Sequence, residues 1–254
     1  MNSVKCQQGT FCWVDLSTSD YQAAQGFYGK LMGWTAQPVP MPADHVYVIM
    51  HKDDKAAGAI TRLDAEKQGV PPHWMLYIAV DSADEMAEKV RAAGGQVHAG
   101  PFDAMEAGRM AICADPSGAL FSIWEGRDTP GVGIQNAVGG MCWQELLTTD
   151  TATASAFYCQ LFGWSAQERP MEAMTYTMFL LGDTQVGGMM TKPSEMQRPD
   201  CWHVYFQVPD CDAAIQMTKD AGGNSCMQPI DMPGVGRFCT LVDPQGAAFA
   251  VLSK

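Results

Sequence analysis

The sequence predicts an α+β protein in which a unit of one strand, one helix and several further strands occurs four times. Residues 9–40 and 139–170 align at an offset of 130, with 15 identities in 32 positions. The later parts of the two halves align at an offset of 128, where residues 73–95 match residues 201–223. Within each half the same order of elements occurs twice, so each unit is roughly a quarter of the chain.

The first half illustrates how the elements are predicted. Asp20 is a suitable N-cap residue, and Gly33 ends the helix that follows it. Runs of apolar residues between turn sequences predict the strands. The predicted elements are strand 11–16, a helix from Asp20 to about Leu31, strands near 45–50 and 57–62, strand 74–80, helix 82–93, and strands near 96–98, 108–114 and 119–124.

A glycine-rich stretch separates the two halves. Residues 126–140 read GRDTPGVGIQNAVGG, which is poor in large apolar side chains. We therefore expect one domain at 1–126, a linker at 127–138 and a second domain at 139–254.

The composition of the chain limits the kinds of molecule that it is expected to bind. The chain has 254 residues, of which 47% are hydrophobic and 17% charged, so it can bury a full core. Sixteen Lys and Arg against 28 Asp and Glu give a net charge of -12, which argues against nucleic acid or an anionic membrane as partner. We expect a small-molecule ligand instead, in a monomer or a homodimer.

The sequence also predicts a cellular location. Its first ten residues, MNSVKCQQGT, lack the apolar core of a signal peptide, and no run reaches the length of a membrane span. The nine cysteines include no CxxC pair. We therefore expect a cytoplasmic protein with reduced thiols.

The motifs CWVDLSTSD, FYGKLMGW, HWMLYIAV and GRMAICADPSG resemble those of the vicinal oxygen chelate superfamily. This superfamily contains glyoxalase I, bleomycin-resistance proteins and extradiol dioxygenases. The resemblance covers nearly the whole chain and is closest to tandem glyoxalase-like proteins often labelled hydroxylases. It implies a glyoxalase-like fold: four βαβββ modules forming two cup-shaped mixed β-sheets with flanking helices. It also implies that module one pairs with module four, and module two with module three, to form the cups.

The resemblance further implies where a metal would bind. Metal-dependent members take a His or Gln from the first strand of a module and a Glu from its last strand. Of the eight side chains at these positions only His203 can ligate a divalent cation, which needs three or four N or O donors. We therefore expect no metal and no other cofactor. The eight positions are Trp13, Met75, Ser122, Trp143, His203, Ala250 and, to within one residue, Ile60 and Met189.

Two tryptophans share strand faces with carboxylates. Side chains two residues apart on a strand point the same way, so Trp13 lies beside Asp15 and Trp143 beside Glu145. The resemblance implies that both faces point into the cups. An indole there either fills the cup or provides a flat surface on which a planar ligand stacks. Cys12, on the opposite face, is predicted to be a small core residue.

The two carboxylates need partners if they are buried. Arg109 and Arg237 are candidate ion-pair partners, and Tyr77 and Tyr205 are candidate donors. One interpretation is a structural carboxylate–arginine clamp. The other is a carboxylate whose pKa burial raises, acting as a base or a ligand anchor. Both interpretations stay open.

Three functions follow from these residues. The first is metal-free binding of a small hydrophobic or aromatic molecule in tryptophan-lined cups. The second is a metal-independent isomerase or lyase, with Glu145 or Asp15 as general base and His203 as a possible partner. The third is a metal-dependent glyoxalase or dioxygenase. The candidate ligand-binding residues are Trp13, Trp143, Met75, Tyr77, Tyr205, Arg109, Arg237 and Ser122.

Overall fold

The computed structural model describes residues 6–42, 45–63, 69–171 and 174–254. Within these residues the chain forms four modules, each with one helix, and the predicted fold class is confirmed. Module one contains β1 (Phe11–Thr18), α1 (Tyr21–Met32), β2 (Thr35–Val39), β3 (Tyr47–Lys52) and β4 (Lys55–Arg62). Module two contains β5 (His73–Ala79), α2 (Ala83–Ala92), β6 (Gln96–Ala104), β7 (Gly108–Ala114) and β8 (Leu120–Gly126).

The second half repeats this order, with one additional short strand. Module three contains β9 (Met141–Thr148), α3 (Thr151–Phe162), β10 (Ser165–Pro170), β11 (Thr175–Leu181) and β12 (Thr184–Thr191). Module four contains β13 (Cys201–Gln207), α4 (Cys211–Asp220), β14 (Asn224–Ser225), β15 (Ile230–Met232), β16 (Gly236–Val242) and β17 (Ala248–Ser253). Among the described residues, no helix combines the length and the apolar composition that crossing a bilayer requires.

The predicted helix ends are confirmed. The side chain of Asp20 accepts a hydrogen bond from the backbone N–H of Ala23, which satisfies one of the free donors at the start of α1. Gly33 ends that helix in the left-handed conformation, with φ at 70°. Asp150 and Gly163 have the same roles in α3.

The strands form two mixed sheets. The first has the order β2-β3-β4-β1-β5-β8-β7-β6, and the second has the order β10-β11-β12-β9-β13-β17-β16-β14, with β15 paired to β16. In each module the first and last strands are parallel neighbours. Two backbone hydrogen bonds, Gly9 N to Ala79 O at 2.8 Å and Ala79 N to Thr10 O at 2.9 Å, attach the start of β1 to β5.

The sheet order corrects one expectation. Each sheet joins consecutive modules, one with two and three with four, so the predicted pairing of modules within a sheet was wrong. The predicted pairing does describe the two compact units of the chain: unit one combines modules two and three, and unit two combines modules one and four. The unit boundaries follow Trp13, Met75, Gly131, Trp143 and Trp202. The proposed domains at 1–126 and 139–254 stay a prediction.

A buried chain of hydrogen bonds lies within unit one. Trp202 Nε1 donates to Tyr158 Oη at 2.8 Å, and Tyr158 Oη donates to Asp115 Oδ2 at 3.1 Å. The other carboxylate oxygen accepts the backbone N–H groups of Ser117 and Ala119, at 2.8 and 2.9 Å. The tyrosine of the FY motif in module three therefore holds the DPSG turn of module two.

Unit two contains the same chain of bonds. Trp74 Nε1 donates to Tyr28 Oη at 3.1 Å, and Tyr28 Oη donates to Asp243 Oδ2 at 3.0 Å. The backbone N–H groups of Gln245 and Ala247 bind the other oxygen of Asp243, both at 2.9 Å. The repeated FY and DP motifs thus stabilise the pairing of modules inside each compact unit.

These buried tyrosines predict a loss of stability in alkali. Burial, and then the neighbouring carboxylates, raise the pKa of Tyr28 and Tyr158 well above the ordinary value. Because each pKa is higher in the folded state, the stability it contributes is complete below the unfolded pKa of about 10 and is lost as pH rises above it. We expect Tm, followed by circular dichroism, to fall steeply above that pH. A Tyr28→Phe, Tyr158→Phe variant with the same slope as the wild type would contradict this.

Candidate functional site

The carboxylate of module three has a well-defined partner within unit one. Tyr176 Oη donates to Glu145 Oε1 at 2.9 Å, and Glu145 is 9% exposed. Glu145 lies opposite Gly188 in the parallel β9–β12 ladder, and Tyr176 lies opposite Met190 in the antiparallel β11–β12 ladder. The tyrosine therefore reaches across β12 to the carboxylate on β9.

Gly188 makes this reach possible. A Cβ atom at Gly188 would lie 1.9 Å from Tyr176 Oη and 2.4 Å from its Cζ, far inside van der Waals contact. The backbone of Gly188 is not in the left-handed region, so the requirement for glycine here comes from the phenol above it and not from the backbone.

The corresponding pair in module one, within unit two, is looser. Tyr47 Oη lies 3.5 Å from Asp15 Oδ2, which is at the outer limit of a hydrogen bond. Asp15 lies opposite Ala59 in the β1–β4 ladder, so a methyl group stands where module three has a glycine. The shorter aspartate and this methyl group both keep the tyrosine farther from the carboxylate. The two carboxylate–tyrosine pairs are therefore not equivalent.

The arginines lie elsewhere, and their predicted pairing with Asp15 and Glu145 was wrong. Arg109 binds both oxygens of Asp84, at 2.8 and 2.9 Å, and also Asp103. Its guanidinium lowers the pKa of Asp84. Arg237 binds Asp212 and Asp231 in the same way. Each arginine starts a strand near the first turn of the preceding helix, so a nearby surface aspartate is its partner.

Two tyrosines that the sequence did not single out, Tyr47 and Tyr176, donate to Asp15 and Glu145. That Tyr77 and Tyr205 also donate to these carboxylates stays a prediction. A signal for Tyr47 and Tyr176 existed, because the third strand of modules one and three carries a tyrosine in both halves, in HVYVIM and MTYTMF. The offset between the halves changes to 129 at this point, which hid the correspondence.

The remaining predicted residues lie on the central strands. Tyr77 lies opposite Ser122 in the β5–β8 ladder, and Tyr205 lies opposite Ala250 in the β13–β17 ladder.

His203 is 6% exposed, and its ring meets the Tyr205 ring edge-on at 5.8 Å. Met75 and Trp13 are also buried, and Trp143 is partly exposed.

The last-strand positions of modules one and three were predicted near Ile60 and Met189, to within one residue, and the structure places them one residue earlier. Ile60 lies opposite Leu16, and Met189 lies opposite Leu146. Parallel partners point to the same side of a sheet, so Ile60 and Met189 point away from the carboxylates. The positions on the carboxylate face are Ala59 and Gly188.

The corrected positions do not fit a metal ion. Neither the methyl group of Ala59 nor the backbone of Gly188 replaces the glutamate of metal-dependent relatives, and indole and thioether groups are poor ligands for hard cations. Within the described ranges, no three or more His, Cys, Asp or Glu side chains come together as a metal-binding group.

Each half of the chain matches a model of a known protein family. The model described as Glyoxalase/Bleomycin resistance protein/Dioxygenase superfamily matches residues 10–123. A second model, described as Glyoxalase-like domain, matches residues 142–252.

Two similar proteins match this chain over nearly its whole length. CFP32 of Mycobacterium tuberculosis, provisionally named a glyoxylase, is 41% identical over 249 residues, which are 97% of this chain and 95% of that protein. DauV of Streptomyces sp. strain C5, named an anthracycline biosynthesis protein, is 34% identical over 256 residues, covering 96% and 93% of the two chains.

Solved structures share the fold. The Mn(II)-bound glyoxalase from Novosphingobium aromaticivorans has a TM-score of 0.67 at 16% identity, covering 97% of this chain and 82% of that one. A catechol 2,3-dioxygenase has a TM-score of 0.65 at 16% identity, covering 98% and 89%. With two matching family models and relatives this similar over their full length, the chain belongs to the glyoxalase/bleomycin resistance protein/dioxygenase superfamily.

Proposed function

We propose that the protein binds a flat, hydroxylated aromatic molecule without a metal, and that the face of β9 carrying Trp143 and Glu145 is its main contact surface. The observation that carries this proposal is the Tyr176–Glu145 hydrogen bond across Gly188. It fixes a carboxylate next to an indole, which is the combination that a ligand with a planar ring and a hydroxyl group requires.

The chemistry of the pair supports this class of ligand. An ionised carboxylate accepts about four hydrogen bonds, so a phenolic hydroxyl group of the ligand can donate to Glu145 alongside Tyr176. Hydrogen bonds to a charged group are stronger than those between neutral groups. Trp143 then supplies apolar contact area for the ring system.

The relatives support a polycyclic ligand. DauV and the related DnrV of Streptomyces peucetius are both named anthracycline biosynthesis proteins. Anthracyclines contain fused aromatic rings with phenolic hydroxyl groups, which suit a tryptophan next to a carboxylate. We also propose a cytoplasmic location, in keeping with the nine cysteines, which are all present as free thiols.

Titration with a water-soluble dihydroxyanthraquinone in a calorimeter tests the proposal. We expect saturable binding, and a Glu145→Gln variant that binds about tenfold or more weakly, since a hydrogen bond to a charged group contributes about 1.5–3 kcal/mol. Glu168→Gln is the matched control, because Glu168 is exposed on β10 of the same module and loses the same charge. Equal affinity in the Glu145 variant and the control would refute the assigned role.

The same pair favours a second candidate, a metal-independent isomerase or lyase. The carboxylate can remove a proton from a carbon next to a carbonyl group, and the phenol can donate a hydrogen bond to the oxyanion that forms. Incubation in D2O with a hydroxylated aromatic ketone that carries a C–H next to its carbonyl group, such as a hydroxytetralone, distinguishes the two functions. Deuterium incorporated at a carbon next to the carbonyl, and absent with Glu145→Gln, would establish catalysis, whereas unchanged ligand would leave binding alone.

A further inference from the structure

Two cysteines meet beside the segment that leaves module two. A Cβ atom placed on Gly131 would lie 2.6 Å from Cys6 Sγ and 3.3 Å from Cys12 Cβ. The two thiols also influence each other, since each is the largest cause of the change in the pKa of the other. All three residues belong to unit one. Both cysteines therefore lie against Gly131, and the absence of a side chain there leaves room for the sulfur atom of Cys6 next to Cys12.

The two thiols have different surroundings. Cys12 is fully buried, and its Sγ also lies 3.6 Å from the backbone oxygen of Tyr77, so its S–H can point to that oxygen or to Cys6. Cys6 is partly exposed. The hydrogen bond from Cys12 lowers the pKa of Cys6 to about 7, and the same bond, with burial, raises the pKa of Cys12. An accessible thiolate beside a second, protected thiol is the arrangement of a reactive and a resolving cysteine.

We infer that Cys6 and Cys12 form a dithiol site that reacts with hydroperoxides and closes to a disulfide. In the first step, the Cys6 thiolate attacks the terminal oxygen of the peroxide, the O–O bond breaks, and a sulfenic acid forms while water or an alcohol leaves. In the second step, Cys12 attacks the Cys6 sulfur, the S–O bond breaks, and water leaves with the proton of Cys12. The two thiols lose two electrons, and the peroxide gains them.

The duplicated half contains a natural control. Cys142 occupies the place of Cys12, and its Sγ lies 3.5 Å from the backbone oxygen of Tyr205, as Cys12 does with Tyr77. Asn136 occupies the place of Cys6, so Cys142 has no resolving thiol at that position. Burial raises the pKa of Cys142 to about 12. Cys142 therefore shares the carbonyl contact of Cys12, but no cysteine stands at the sequence position that corresponds to Cys6.

Peptide mass spectrometry after treatment with one equivalent of hydrogen peroxide tests the inference. No Lys or Arg lies between Cys6 and Lys30, so trypsin releases residues 6–30 as one peptide in which Cys6 and Cys12 are the two cysteines. We expect this peptide to lose two hydrogen atoms at least about tenfold faster than Cys142 is oxidised, as the difference in thiolate fraction requires. The Cys12→Ser protein should accumulate a sulfenic acid at Cys6 that dimedone traps, and Cys6→Ser should abolish the reaction.

Two results would overturn the inference. The first is a 6–30 peptide that keeps both thiols while other cysteines are oxidised. The second is oxidation of Cys6 and Cys142 at equal rates. Both results are measured on the wild-type protein, so they do not depend on whether the serine variants fold.

Discussion

Replacing Asp115 by alanine is expected to lower the free energy of unfolding by about 3–5 kcal/mol, because it leaves three donors, two of them buried, without an acceptor at about 1–3 kcal/mol each. Those donors are the backbone N–H groups of Ser117 and Ala119 and the hydroxyl of Tyr158. Asp115 is 2% exposed, so water cannot replace the lost carboxylate without entering the core. Urea denaturation followed by circular dichroism measures the change.

Two variants make this experiment specific. Asp128→Ala removes an exposed aspartate in the same unit and should change the free energy of unfolding by less than about 0.5 kcal/mol. Asp243→Ala removes the corresponding carboxylate of unit two and should cost about as much as Asp115→Ala, since it has the same set of donors. An Asp115→Ala protein as stable as the Asp128→Ala protein would show that the Trp–Tyr–Asp chain does not stabilise the fold.

Replacing Gly188 by alanine is expected to weaken binding of the hydroxyanthraquinone by about tenfold or more, the equivalent of losing one hydrogen bond to a charged group. The new Cβ would overlap Tyr176, so the phenol must move away and its bond to Glu145 breaks. Calorimetric titration gives the affinity, and thermal unfolding gives the accompanying change in stability.

A second substitution separates the steric effect from the hydrogen bond. Tyr176→Phe alone should weaken binding by a similar factor and leave the sheet intact. The double variant should bind no better than Tyr176→Phe. Gly26→Ala is the control, because a Cβ at Gly26 meets nothing within 4 Å. Affinity in Gly188→Ala equal to that of the control would remove Tyr176 and Glu145 from the proposed site.

The modules and the ends of their helices could be predicted because the interactions that form them lie within short stretches of the chain. Asp20 and Gly33 act within a few residues of the chain, through a side-chain hydrogen bond to a nearby N–H and through a left-handed backbone. The duplication then assigned the same elements to the second half. The strand alternation that puts Trp143 beside Glu145 is equally local, which is why these residues could be selected without a structure.

The contacts between residues from distant parts of the chain could not be predicted, because they depend on how the strands are packed. Strand register determines the order of strands in each sheet and the partners of Arg109. The missing Cβ atoms of Gly188 and Gly131 leave the space in which Tyr176 reaches Glu145 and in which Cys6 lies next to Cys12. A one-residue change of register reverses the face of every side chain on a strand, as Ile60 and Met189 show. Periodicity and capping act over a few residues, whereas these contacts arise only when separate strands are packed against each other.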